Sequence, residues 1–269
     1  MTSWTTAIRE INGINIHYTR TGGNKPPLIL LHGLMANGMC WTGLAHILEK
    51  EYDVIMPDAR GHGKSGVPDY GYQYEDHSND VASLINALRL SPPVLLGHSM
   101  GGMTAAMVAS RKPNLLRGLI LADPTFLSLK VQREVRDSDV ADKHRKILNM
   151  SFDEVVAESR TRHPNRSQET LELFAHARLQ TSLAAFDVLT PPNPDYKQLV
   201  RTIDVPSLLV YGDKGVVSSI VAEELQRRNP GFQAEQIREA GHAHHLDQPE
   251  RFAAIVKTFL SSIDKVIES

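Results

Sequence analysis

The chain opens with two β-like runs, Thr5 to Ile11 and Ile14 to Thr19, joined at Asn12-Gly13. That dipeptide tolerates positive φ, so the pair predicts a hairpin at a sheet edge. Short apolar runs without clear alternation follow: Leu28 to Leu31, Val54 to Met56, Val94 to Leu96, Leu119 to Leu121 and Leu208 to Tyr211. Strands buried on both faces carry this signature. Between most of them lie amphipathic stretches, Asn79 to Leu88, Met103 to Ser110 and Val221 to Arg228, and a last one runs from Glu250 to Ser262. The alternation predicts an α/β protein with a mostly parallel sheet flanked by helices.

One region breaks the alternation. From about Thr125 to Pro194 there is no strand signal, only charged helical pattern. Ser151-Phe152-Asp153-Glu154 fits a capping box, and Leu171, Phe174, Ala175 and Leu179 recur at helical spacing after a cap at Ser167. Residues 125–194 are therefore expected to form a helical insertion dividing a core of residues 1–124 and 195–269. Pro191-Pro192-Asn193-Pro194 reads as the stiff connector back to the sheet.

Composition narrows the class. An apolar fraction of 41% in 269 residues suits one soluble core, and no stretch could span a bilayer. A formal net charge of -2, with Lys and Arg scattered singly, supplies no stripe to neutralise nucleic-acid phosphates. Met1 to Arg20 holds no apolar run of signal-peptide length, and the lone Cys40 excludes an intramolecular disulfide. A cytoplasmic protein that binds neither nucleic acid nor membrane is expected; its oligomeric state is left open.

After the strand-like Val94-Leu95-Leu96 comes Gly97-His98-Ser99-Met100-Gly101-Gly102, followed at once by helical pattern. This is G-x-S-x-G between a strand and a helix. A serine held on so sharp a turn adopts strained backbone angles, and side chains two residues either side would collide. The turn lifts the Ser99 hydroxyl clear of the sheet and leaves the Met100 N–H at a helix start, where it can donate to an oxyanion. A serine hydroxyl is nearly inert at neutral pH and needs a base that takes and returns its proton. Of 12 histidines, His242 in Gly241-His242 stands in the telling place, after the last expected strand and before the final helix. The run His242-Ala243-His244-His245-Leu246-Asp247 also suggests zinc, but no second ligand cluster stands near another strand end, so no metal and no cofactor are expected. His244 and His245 are expected to line or close a pocket mouth.

His32-Gly33, Asp58-x-Arg60-Gly61-His62-Gly63-x-Ser65, the elbow at Ser99, and Gly241-His242 through Gln248-Pro249-Glu250 together resemble the α/β-hydrolase superfamily, in order and along nearly the whole chain. The resemblance implies a sheet of about eight strands, a cap domain at the insertion, a Ser-acid-His triad, and an oxyanion hole of the Leu34 and Met100 amides. It implies a structural role for the Asp58 to Ser65 loop. The family offers two places for the acid. The commoner, three residues past the glycine that ends the strand Leu208 to Tyr211, is occupied by Gly215, with Asp213 nearby as a substitute. The other follows the strand Leu119 to Ala122 and holds Asp123. Asp123 is the expected acid and Asp213 the alternative.

A serine nucleophile excludes the dehalogenase and epoxide hydrolase branches, which attack with a carboxylate. Hydrolysis of an ester, lactone or related acyl bond of a small molecule through an acyl-enzyme is the expected reaction. A cofactor-free oxygenase, lyase or perhydrolase, or a ligand-binding receptor, are the alternatives on the same scaffold. Phe126, Leu127, Met150, Phe152, Phe174, Phe186 and Leu189 are the candidate apolar pocket wall.

Overall fold

A computed structural model describes residues 4–268. Eight strands form one sheet: β1 (Thr5–Ile11), β2 (Ile14–Arg20), β3 (Pro27–Leu31), β4 (Asp53–Pro57), β5 (Val94–His98), β6 (Gly118–Ala122), β7 (Ser207–Lys214) and β8 (Phe232–Gly241), in the order β1-β2-β4-β3-β5-β6-β7-β8. The hairpin β1-β2 pairs antiparallel and turns through Asn12 and Gly13 at φ 50° and 80°. β2 meets β4 antiparallel, and every pairing from β4 to β8 is parallel.

The unbroken apolar runs have a simple cause. Successive residues point to opposite faces, and both faces are covered. Ile29, Leu31, Leu95, Leu119 and Leu121 pack on one side with helices α2 (Tyr74–Ala87) and α3 (Met100–Arg111). Leu28, Leu30, Leu96, Ile120 and Val210 pack on the other, against α1 (Thr42–Leu48) and Phe252, Val256 and Leu260 of the C-terminal helix Pro249–Glu268. β8 is the strand the apolar pattern does not announce. It is a sheet edge on which only Phe232, Ile237 and Ala240 are buried, so its sequence reads as polar.

Between β6 and β7 the chain forms α4 (Leu129–Arg136), α5 (Val140–Ile147), α6 (Phe152–Arg162), α7 (Gln168–Leu179) and a 3-10 segment, Leu183–Leu189, before α8 (Tyr196–Thr202). The Ser151 hydroxyl accepts from the Glu154 N–H while the Glu154 carboxylate accepts from the Ser151 N–H, closing the capping box. Ser167 caps α7 through the Thr170 N–H. These helices share a small cluster of their own, Ile147, Val155 and Ala175, with Met150, Phe152 and Leu179 against it. They are tied to the sheet layer by hydrogen bonds from the Ser182 N–H to the Gly61 carbonyl (2.8 Å) and from the Asn37 amide to Gln180 Oε1 (3.1 Å).

After β7, α9 (Ser219–Arg228) crosses to β8, and a short α10 (His244–Asp247) precedes α11 (Pro249–Glu268). The loop after β4 is held by the buried Asp58 carboxylate, which accepts from the N–H groups of Gly38 and Lys64 and from His17 Nδ1. Arg60 adds two 2.7 Å bonds to Asp80. This network ties the loop to β2 and α2.

Candidate active site

β5 ends at His98, α3 begins at Met100, and Ser99 makes the turn alone at φ 55°, ψ -117°. Such a conformation costs a non-glycine residue about 1–3 kcal/mol and persists only where its surroundings hold it. Here the two glycines two residues away let the backbones close. A Cβ on Gly97 would stand 2.1 Å from the Gly101 carbonyl oxygen, and one on Gly101 would stand 2.4 Å from that of Leu31. The Ser99 N–H donates to the Ala122 carbonyl at 3.1 Å, which locks the elbow to the end of β6.

That end carries Asp123, at φ 42° and with no solvent exposure. Its carboxylate accepts from the N–H groups of Val216 (2.8 Å) and Val217 (2.9 Å), and stands 2.6 Å from His242 Nδ1. On the other side of the same ring, His242 Nε2 lies 2.9 Å from Ser99 Oγ. A carboxylate only accepts, so Nδ1 carries the ring proton and the Nε2 lone pair faces the serine hydroxyl. Three side chains from three strand ends thus form one hydrogen-bonded line.

Asp213 is not in it. Its exposed carboxylate accepts from the N–H groups of Glu239 and Ala240, both at 3.0 Å, and so pins the irregular end of β8, where Glu239 has φ 57°. Those amides hold its pKa below the ordinary carboxylate value. Gly215 explains how the two acid positions relate. A Cβ there would lie 2.7–2.9 Å from the Asp123 carboxylate, so an acid at either position would reach the same point beside His242.

Leu34 and Met100 both border the space above Ser99. Among the described residues neither N–H enters a loop or turn hydrogen bond. The loop carrying Leu34 packs against the elbow through Gly33, where a Cβ would stand 3.1 Å from Ser99 Cβ.

The space is a cavity of about 560 Å³. Of the pocket wall expected from sequence, Leu127, Phe174 and Leu189 border it. Phe126, Met150, Phe152 and Phe186 do not, because each turns toward packing elsewhere. Phe126 is buried and stacks on Tyr196 with ring centroids 4.9 Å apart. Met150 and Phe152 pack against the small cluster of α5, α6 and α7, and Phe152 stacks on His176 at 4.2 Å. Phe186 is buried against His144. The residues missed include five valines, Val131, Val135, Val140, Val188 and Val216, and Trp41. The available signal was the i, i+4 spacing of Val131 and Val135 in the otherwise charged Leu129–Arg136 helix.

Residues 26–249 match the family model described as the alpha/beta hydrolase fold. The chain belongs to the α/β-hydrolase family. This hydrolase is 28% identical to a Bacillus subtilis (strain 168) protein provisionally named 2-succinyl-6-hydroxy-2,4-cyclohexadiene-1-carboxylate synthase, over 96% of this chain and 99% of that one. It is 26% identical to the human serine hydrolase BPHL, over 96% of this chain and 87% of that one. Among solved structures, E-2-(acetamidomethylene)succinate hydrolase superposes with a TM-score of 0.85 at 23% identity, covering 96% of this chain and all of that one, which speaks for the shared fold alone. Relatives named as hydrolases make this chain a hydrolase enzyme. No helix among its described residues is long and apolar enough to cross a membrane.

Three further histidines surround His242 in this hydrolase. His98 Nε2 donates to the His242 carbonyl oxygen at 2.9 Å, and the His98 ring lies 4.7 Å from that of His242 and 4.4 Å from that of His245. Burial drives the pKa values of His98 and His245 well below the ordinary imidazole value and lowers that of His244 to about 4. All three are neutral at pH 7. His245 borders the cavity, whereas His244 is fully buried beneath it against Phe252.

Proposed function

We propose that this hydrolase cleaves a carboxylic ester, lactone or related acyl bond of a small molecule through an acyl-enzyme on Ser99. The observation that carries the reading is the line from Ser99 Oγ through both nitrogens of His242 to the buried Asp123 carboxylate. In the first step His242 Nε2 takes the Ser99 proton as Oγ attacks the carbonyl carbon. The carbonyl oxygen becomes an oxyanion that the Leu34 and Met100 amides hold, and His242 returns the proton to the leaving oxygen. Water then attacks the acyl carbon as His242 Nε2 takes its proton, the bond from that carbon to Ser99 Oγ breaks, and His242 returns the proton to Oγ as the acid leaves. Asp123 keeps the ring in the required tautomer and stabilises the imidazolium.

Residues 125–194 act as a cap over the core of residues 1–124 and 195–269, and the free Cys40 suits a reducing cytoplasm. The scheme draws on no cofactor. The test is turnover of a panel of short and medium acyl esters and lactones, with intact mass measured during turnover. An acyl adduct on Ser99, absent in Ser99→Ala along with the turnover, is expected. Turnover that survives Ser99→Ala overturns the reading.

The Bacillus subtilis relative, named as a synthase, favours one second reading, in which Ser99 and His242 move protons without acyl transfer. Ser99-dependent consumption of substrate with no adduct would select it.

A further inference from the structure

The charge of the substrate can be read from what the cavity withholds. Among the described residues no Arg, Lys, Asp or Glu borders it. Its roof is aliphatic: Val131 and Val135 one turn apart on α4, Val140 at the start of α5, and Leu127, Val188 and Leu189 beside them. The cations of α4 itself, Lys130, Arg133 and Arg136, lie on its exposed side. Arg166 is paired with Asp247 at 3.3 Å and borders a neighbouring polar groove rather than this cavity.

Of the polar side chains that border the cavity, Trp41 Nε1 and His245 Nδ1 are buried without a partner among the described residues, and those that follow are already engaged. The Tyr74 and Thr125 hydroxyls bond to each other at 2.8 Å, and His32 accepts from the Ala59 N–H while its other nitrogen bonds the Gly33 carbonyl. The Cys40 thiol is pushed up to about 12 by burial and stays uncharged. Behind His242 stands the anion of the site, Asp123.

Resting on the Ser99 acyl-transfer reading, we infer that this cavity selects uncharged substrates with apolar groups flanking the scissile bond, and rejects those carrying a free carboxylate. A carboxylate in the pocket would lose its water and gain no cation in return, and the Leu34 and Met100 amides are taken by the scissile carbonyl oxygen. The volume of about 560 Å³ accommodates a molecule of medium size, and the aliphatic lining rewards each methylene buried.

The inference and the reading beneath it are separated by one pair of probes: an alkyl fluorophosphonate with a plain hexyl tail, and the same probe with a carboxylate at the tail's end. In each, the Ser99 Oγ–P bond forms as P–F breaks, fluoride leaves, and the serine proton passes to His242. Labelling is read by peptide mass spectrometry. The hexyl probe should label Ser99 at least about a hundredfold faster, the discrimination expected when a charge is buried unpaired. Val135→Arg, which adds a cation at the roof, should narrow that ratio by about tenfold. Equal rates for the two probes in the unaltered enzyme, or a faster carboxylate probe, overturn the inference while leaving Ser99 as nucleophile. Failure of both probes to label Ser99 overturns the acyl-transfer reading itself.

Discussion

The strand ends below the cavity and the helices above it are built on opposite principles. Below, each candidate catalytic residue is held through backbone groups. Ser99 sits in a strained turn between glycines, Asp123 is gripped by the Val216 and Val217 amides, and His242 is steadied through its carbonyl by His98. Above, Val131, Val135, Val140 and Leu127 present methyl groups with no directional contact to defend. Reaction chemistry needs atoms placed to within a few tenths of an ångström, which hydrogen-bond networks supply. Selection by apolar shape needs only volume and dryness, which many side chains supply equally well.

The comparison can be broken most sharply at the acid. Asp123→Asn should lower kcat by about 10⁴-fold by presenting the wrong tautomer of His242 to Ser99, while Asp213→Asn should change it less than about threefold. If Asp213→Asn has the large effect, the line of three side chains is not the working one. Because a side chain at Gly215 would point at the Asp123 carboxylate, Asp123→Gly combined with Gly215→Asp should recover about 10²-fold over Asp123→Gly alone. No recovery would show that the grip of Val216 and Val217, and not only the position of the charge, is required.

The cap gives smaller effects of a different kind. Phe174→Ala should raise KM for a medium-chain ester by about 3–10-fold with little change in kcat, since it removes binding common to ground and transition states. Phe152→Ala, in the cluster away from the cavity, should leave KM unchanged and lower Tm by about 4–8 °C. Matching KM changes for the two would contradict the division of the cap into wall and core.

The smallest effect is on stability against pH. His244 is buried neutral with its pKa lowered from 6.5 to about 4. Below pH 6.5 the unfolded chain takes up a proton that the folded chain refuses, so the contribution is intact above pH 6.5 and lost progressively as the pH falls toward 4. His98 and His245 act in the same direction. Thermal melts from pH 7.5 to 5 should therefore show a falling Tm whose slope is shallower in His244→Gln; an unchanged slope would mean that this ring does not resist protonation.

How much of this was legible in sequence depended on whether a residue's role was local. Gly97, Ser99 and Gly101 could be read because one turn dictates all three, and Ser151 and Ser167 because a helix start needs a cap within four residues. β8 gave no apolar signal because it is an edge whose exposed face is polar. Of the seven residues proposed for the cavity wall, Phe126, Met150, Phe152 and Phe186 do not border it, because an apolar pattern shows that a residue packs without showing against what.

Sequence by itself determined the α/β alternation, the helical insertion, the elbow at Ser99 and the candidacy of His242, because hydrophobic period and turn chemistry act over a few residues. Only tertiary structure placed Asp123, and not Asp213, beside His242, brought residues 99, 123 and 242 within hydrogen-bond reach, and lined the cavity with valines more than phenylalanines. Those outcomes depend on distances between segments over a hundred residues apart, which are set by how strands stack side by side and by which face of each helix the neighbouring layer covers.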